Sequence, residues 1–86
     1  MAIAVEEITP TTYRVTVSGA SVTEHEVNVD PLYAEEISPD EPIDSLLRRS
    51  FEFLLEREPN TSILARFDLR VISRYFPEYE RVIAER

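Results

Sequence analysis

Three arginines spaced four residues apart, Arg66, Arg70 and Arg74, are the first candidates for chemistry in this sequence. The aromatic residue Tyr79 follows close behind them. Guanidinium groups at this spacing suit either a phosphate backbone or an acidic protein surface. On one unbroken helix, successive arginines would drift only about 40° around the axis and form a stripe. Asp68 favours a helix start, so we expect the helix to break there and displace Arg66.

The overall charge argues against a phosphate ligand for these arginines. The chain holds 17 acidic residues against nine basic ones, all arginine, which gives a formal charge of −8. A charge of this sign repels nucleic acid. The readings, in the order favoured, are a solvated face paired with the protein's own acids, a protein contact and an anion site. For the contact, arginine beside tyrosine is typical of interface hot spots, so the candidate partner-binding residues are Arg66, Arg70, Arg74 and Tyr79.

Other reactive groups do not combine into a catalytic, cofactor or metal site. The chain has no cysteine, one glycine and one histidine, which leaves no zinc site and no glycine-rich phosphate loop. His25 falls on the apolar face of a predicted strand, where a hydrogen-bonded core histidine is the common case. Adjacent carboxylates, such as Glu6 with Glu7 or Glu35 with Glu36, point apart in a strand or helix. We therefore predict a protein that is not an enzyme.

The elements that position these groups begin with three strands in residues 1–29. The stretches "IAVEEI", "YRVTVS" and "TEHEVNV" alternate with period two and are separated by short breaks. They predict an antiparallel meander. A three-residue loop, 19–21, would place Ser18 opposite Val22 and Val15 opposite His25, with Gly19 adopting the positive φ of a tight turn. Any one-residue slip would bury glutamates, which fixes this register.

Parity assigns the two faces of the predicted sheet. The polar positions are even-numbered, and one face is therefore expected to be buried and the other solvated. The apolar-face positions are Ile3, Val5, Tyr13, Val15, Val17, His25, Val27 and Val29.

After residue 29 the period becomes helical. Asp30 is expected to cap a short helix that runs through Ile37. A long helix follows, with Asp40 as its cap, Pro42 in its first turn and Pro59 beyond its end. Its apolar arc of about 200° is too wide for one contact, so we expect the sheet on one flank and the C-terminal segment on the other.

The C-terminal segment is predicted to be helical throughout. Asn60 is expected to cap "TSILARF", and Asp68 to cap "LRVISRYF". Pro77 is expected to stop that second helix and to open the last one, "EYERVIAER". The predicted fold is therefore one α+β domain over residues 1–86. Its three-stranded meander spans 1–29, and its helical part, 30–86, packs on one sheet face.

The run "SFEFLLEREPNTSILARFDLRVISRYFPEY", with "HEVNV" and "YAEEI" upstream, resembles a group of small bacterial proteins of about this length. That group has no established activity. The resemblance covers most of the chain and implies a self-contained domain. It assigns no role to any residue.

Two functional hypotheses follow from these observations. The first is a non-enzymatic module for protein–protein interaction or self-association, with an unknown protein or a second copy as its partner. The alternative is a nucleic-acid-binding regulator, because "TSILARFDLRVISRY" is compatible with a helix-turn-helix. The charge of −8 and the absence of lysine count against nucleic acid. Because the sequence begins without a basic leader and has no long apolar run, we expect a cytoplasmic location and no membrane contact.

Overall fold

A four-stranded sheet with helices on one face forms the protein, as seen in a computed structural model that describes residues 1–85. The strands are β1 (Ala2–Thr9), β2 (Thr12–Ser18), β3 (Val22–Asn28) and β4 (Arg66–Asp68), in the order β1-β2-β3-β4. The helices are α1 (Pro31–Ile37), α2 (Ile43–Leu55), α3 (Val71–Tyr75) and α4 (Tyr79–Ala84), and Asn60–Ser62 forms a 3₁₀ turn. The first three strands are antiparallel, and β4 pairs in parallel with β3.

The meander and its register are confirmed. Ser18 pairs with Val22 and Val15 with His25, which leaves a three-residue loop between β2 and β3. The expectation for Gly19 is wrong, because no glycine adopts a positive φ. A Cβ at Gly19 would lie 3.1 Å from the Cγ of Met1. The absent side chain therefore leaves room for the N-terminal methionine.

The predicted sheet faces are also confirmed. Apolar odd-numbered residues of β2 and β3 are buried beneath the helices. The opposite face carries a row of alternating charge, in which Glu6, Arg14, Glu26 and Arg66 are successive cross-strand partners. The guanidinium of Arg14 lies 2.9 Å from the Glu6 carboxylate. Opposite charges on neighbouring strands stabilise a sheet, so this row supports the pairing of all four strands.

Helix α1 begins as predicted, because the Asp30 carboxylate accepts a hydrogen bond from the Leu32 N–H at 2.9 Å. Asp40 does not cap α2, which is a correction. Its backbone has a φ of 63°, a conformation in which its side chain cannot meet the first turn of the helix that starts at Ile43.

Glu41 anchors the start of α2 instead. Its carboxylate accepts hydrogen bonds from the hydroxyls of Ser38 and Ser45, both at 2.6 Å, and from Arg49 at 2.7 Å. Arg49 also donates to the Ile83 carbonyl at 2.7 Å, which joins the helix start to the end of α4. Burial of the Glu41 carboxyl opposes ionisation, but these three hydrogen bonds outweigh it and lower its pKa.

The wide apolar arc of α2 is filled from two sides, as predicted. On the sheet side, the ring of Phe51 lies 5.3 Å from His25 and 6.1 Å from Phe67 between centroids. On the other side, the ring of Phe53 lies 5.9 Å from Phe76 and 5.3 Å from Tyr79. The C-terminal segment therefore completes the core from within the same chain.

The predicted helix "TSILARF" is wrong, since residues 60–68 form a 3₁₀ turn and strand β4. Hydrogen bonds from Glu26 N–H to the Ala65 carbonyl and from Leu69 N–H to the Asn28 carbonyl fix the strand against β3. The outer edge of β3 would otherwise leave these backbone groups unpaired, which is costly. The segment therefore satisfies a distant strand, and this contact overrides its local helical pattern.

Residues flanking β4 differ accordingly from prediction. Asn60 does not cap a helix but is buried, while Asp68 accepts a hydrogen bond from the Arg70 N–H just before α3. Pro77 separates α3 from α4 as predicted. Arg86, the predicted end of the last helix, lies outside the described residues. None of the described helices is long and apolar enough to cross a membrane.

Candidate binding groove

An apolar groove of about 400 Å³ opens where the end of α2, residues 62–64, β4 and α3 meet. Each wall comes from a different element, so the groove exists only in the folded chain. Glu58 and Ser62 supply its polar side chains. The remaining lining residues are Leu54, Ile63, Leu64, Phe67, Val71, Ile72, Tyr75 and Phe76.

The rim of the groove exposes large apolar side chains above a buried floor. Tyr75 is 67% exposed and Leu64 is 47% exposed, whereas Ile63 and Ile72 beneath them are buried. An isolated exposed apolar residue is ordinary, but exposed apolar residues that border an apolar concavity are typical of binding sites. The groove is therefore the surface best suited to receive another molecule's apolar side chains.

His25 holds the loop that forms one wall of the groove. Its Nδ1 donates to the Leu64 carbonyl at 2.7 Å, and the Thr23 hydroxyl bonds the other ring nitrogen at 2.8 Å. The Asn60 amide donates to the Thr23 hydroxyl and to the Ser21 carbonyl, both at 3.0 Å. This buried network ties residues 60–64 to β3, so the prediction that His25 is a hydrogen-bonded core residue is confirmed.

The α2 end of the groove is acidic. Glu56, Glu58 and Glu78 gather there against one cation, Arg57. Arg57 lies 3.5 Å above the Phe53 ring centroid and bonds Glu78 at 3.2 Å. The backbone N–H of Glu78 and, to a smaller extent, Arg57 lower the pKa of the Glu78 carboxyl. Among residues 1–85, Glu58 makes no ion pair.

The three candidate arginines do not form one stripe. Arg66 lies on the solvated sheet face opposite Glu26, because its segment is a strand. Arg70 precedes α3 and bonds the Asp30 carboxylate at 2.8 Å. That hydrogen bond, followed by the one from the Leu32 backbone, lowers the pKa of Asp30. Arg74 is exposed in α3 and makes no ion pair within residues 1–85.

Tyr79 cannot contact a partner in this fold, so that part of the prediction is wrong. Its side chain is fully buried, and its hydroxyl lies 2.6 Å from the Ser50 hydroxyl. Ser50 gives its one proton to the Leu46 carbonyl at 2.8 Å, so Tyr79 is the donor to Ser50. Burial raises the pKa of Tyr79. Tyr79 starts α4 facing the core, and its position beside Phe53 explains the burial.

Tyr75 and Leu64 are the groove residues that the sequence prediction missed. Tyr75 belonged to the predicted apolar face of a longer helix, and such a face is normally buried. The signal for a short helix was present in Asp68 and Pro77, which bound α3 on either side. A helix of five residues is too short to bury its whole apolar face, so Tyr75 stays at the rim.

The expected helix-turn-helix is absent from residues 60–75. A 3₁₀ turn and a strand stand where its first helix was expected. Residues 1–85 contain no group of three histidine, aspartate or glutamate side chains arranged to hold a metal ion.

Comparisons with protein-family models, curated proteins and solved structures found no match. The resemblance to small bacterial proteins therefore stays an expectation from the sequence. A functional proposal for this chain depends on its own groove, its charges and its contacts.

Proposed function

We propose that this protein is a non-enzymatic interaction module and that its groove receives apolar side chains of a partner protein. The observation that carries the proposal is the apolar cavity of about 400 Å³ with Tyr75 and Leu64 exposed at its rim. Burying one large apolar side chain contributes about 1.5–3 kcal/mol. Two rim residues and a filled floor therefore offer the few well-packed anchors on which protein interfaces depend.

The state of the single histidine supports a non-enzymatic role. His25 is 2% exposed, and both of its ring nitrogens are engaged in internal hydrogen bonds. A general base needs an accessible nitrogen within reach of a substrate proton. His25 instead positions the groove wall through the Leu64 carbonyl.

The charge of the chain bears on which protein occupies the groove. Two copies of a molecule with a formal charge of −8 repel each other, and salt weakens this repulsion. We therefore place a different protein ahead of a second copy. Self-association is the alternative occupant, and its mass identifies it in the experiment that follows.

Site-specific photo-crosslinking in cells tests the proposal. A photoreactive phenylalanine analogue replaces Tyr75 in one variant and Val22 in a matched control, since both residues are 67% exposed. Val22 lies at the β2–β3 turn, outside the groove lining. We expect a discrete adduct from position 75 alone, and its loss when Leu64→Ser is added. An adduct of twice the chain mass would identify a second copy.

Two results would contradict the proposal. The first is no adduct from position 75 in cells that express the protein. The second is a set of adducts that is the same from positions 75 and 22, which would reflect random collision. Either result would remove the groove as the functional surface.

A further inference from the structure

We infer that the partner segment is cationic, with a lysine or arginine that lies against Glu58 beside the apolar side chains in the groove. The inference rests on the proposed function, because it names the partner chemistry of the same groove. It reverses the sign expected from the arginine-rich sequence, which suggested an acidic partner.

The α2 end of the groove presents negative charge that the protein does not neutralise. Glu58 lines the groove and makes no ion pair within residues 1–85. Arg57, its neighbour, is engaged by Glu78 and by the ring of Phe53. The C-terminus of α2 adds the negative end of the helix dipole, and its last turn holds no basic residue.

The cations of this region face away from the groove. Arg66 precedes Phe67 on β4, and successive strand residues point to opposite faces, so Arg66 lies on the far side of the sheet from the groove floor. On α3, Val71, Ile72, Tyr75 and Phe76 line the groove. At 100° per residue, Arg74 lies about 130° around the axis from the centre of that lining face.

An acidic partner would therefore bring its charge towards Glu58 without meeting a free guanidinium in the groove. A cationic partner would pair with Glu58 and would be steered by the −8 charge of the whole molecule. The exposed ring of Tyr75 offers the same cation a second favourable contact through its π face. Apolar anchors with an adjacent cation thus satisfy the floor, the rim and the acidic end together.

Two synthetic amphipathic peptides test this assignment against the full-length protein. They share their leucine positions and differ only in carrying arginine or glutamate between them. Titration of the ¹⁵N-labelled protein is followed by the amide shifts of Leu64 and Tyr75 and by calorimetry. We expect the arginine peptide to shift these amides and to bind at least about fivefold more tightly at low salt than the glutamate peptide.

Charge-removing variants separate a local contact from diffuse attraction. Glu58→Gln should weaken the arginine peptide about twofold to fivefold at low salt. Glu24→Gln removes the same charge from the solvated sheet face, outside the groove, and should change the affinity by less than about 1.5-fold. Equal losses from the two variants would show diffuse attraction and would overturn the inference.

The remaining outcomes distinguish this inference from the proposed function. If the glutamate peptide shifts the groove amides with equal or higher affinity, the cationic assignment is wrong and the groove function stands. If neither peptide shifts them, the cationic assignment also falls. Crosslinking from position 75 then decides separately whether the groove binds any protein.

Discussion

Replacement of His25 by glutamine tests the buried network that shapes the groove wall. The ring nitrogens of His25 meet the Leu64 carbonyl and the Thr23 hydroxyl on opposite sides of the ring. A glutamine amide can keep one of these hydrogen bonds, and the loss of the other costs about 1 kcal/mol. The ring contact with Phe51, at 5.3 Å, is worth roughly another 1 kcal/mol. We therefore expect the free energy of unfolding to fall by about 2 kcal/mol.

Thermal and urea denaturation followed by circular dichroism measure this loss. For a chain of this length, about 2 kcal/mol corresponds to a fall in Tm of roughly 8–16 °C. Glu24→Gln is the matched control, because it introduces the same residue one position earlier on the solvated face. Its effect should stay within about 0.5 kcal/mol.

A double-mutant cycle sharpens the test. Thr23→Val removes the hydroxyl that bonds His25, so the pair of variants should show a coupling energy of about 1 kcal/mol. A loss for His25→Gln no larger than that of Glu24→Gln would refute the reasoning. That result would mean that the network does not hold the loop to β3.

Three further predictions concern other buried or paired groups. The lowered pKa of Glu41 means that its stabilisation is present above the unfolded pKa of about 4.3 and is lost as pH falls through the folded value, so Glu41→Gln should flatten the acid limb of stability against pH below about 4.3. Tyr79→Phe should cost about 1–2 kcal/mol in urea denaturation, and Tyr75→Phe less than 0.5 kcal/mol, since only the first removes a buried hydroxyl bond. Arg66→Glu should cost about 0.2–1 kcal/mol in the same assay by facing Glu26, and an unchanged midpoint would contradict the charged row.

The sequence predicts the meander because its information is local. Side chains alternate over seven or eight residues in each strand, and a slip by one residue would bury Glu24 and Glu26. The same holds for α2, whose wide apolar arc correctly predicts two contact surfaces. In both cases the pattern repeats often enough within one element to exclude the alternatives.

Strand β4 lies beyond such local reasoning. It has three residues, which is too short for a recognisable alternation, and its partner is separated from it by two helices. What selects the strand is the unpaired edge of β3 at Glu26 and Asn28, which becomes visible only in the folded arrangement. Helical spacing of the arginines therefore predicts a stripe that the backbone does not provide.

The candidate site was predicted only in part for the same reason. Arg74 is exposed as expected, but Arg70 is engaged by Asp30, and Tyr79 is inside the core. The groove needs the end of α2, β4 and α3 in one place, so no single stretch of sequence announces it. Side-chain exposure at the ends of short helices depends on neighbours that local periodicity does not identify.

The parallel pairing of β4 also bears on the order in which the chain folds. Glu26 and Arg66 are partners although positions 26 and 66 are 40 residues apart, whereas the β2–β3 turn closes between positions 18 and 22. By loop-closure entropy, the tenfold longer separation costs about 2 kcal/mol more. The hairpin can therefore form early and the docking of β4 late, which would give groove residues low φ-values. Substitutions there would act mainly on the unfolding rate, leaving the folding rate almost unchanged.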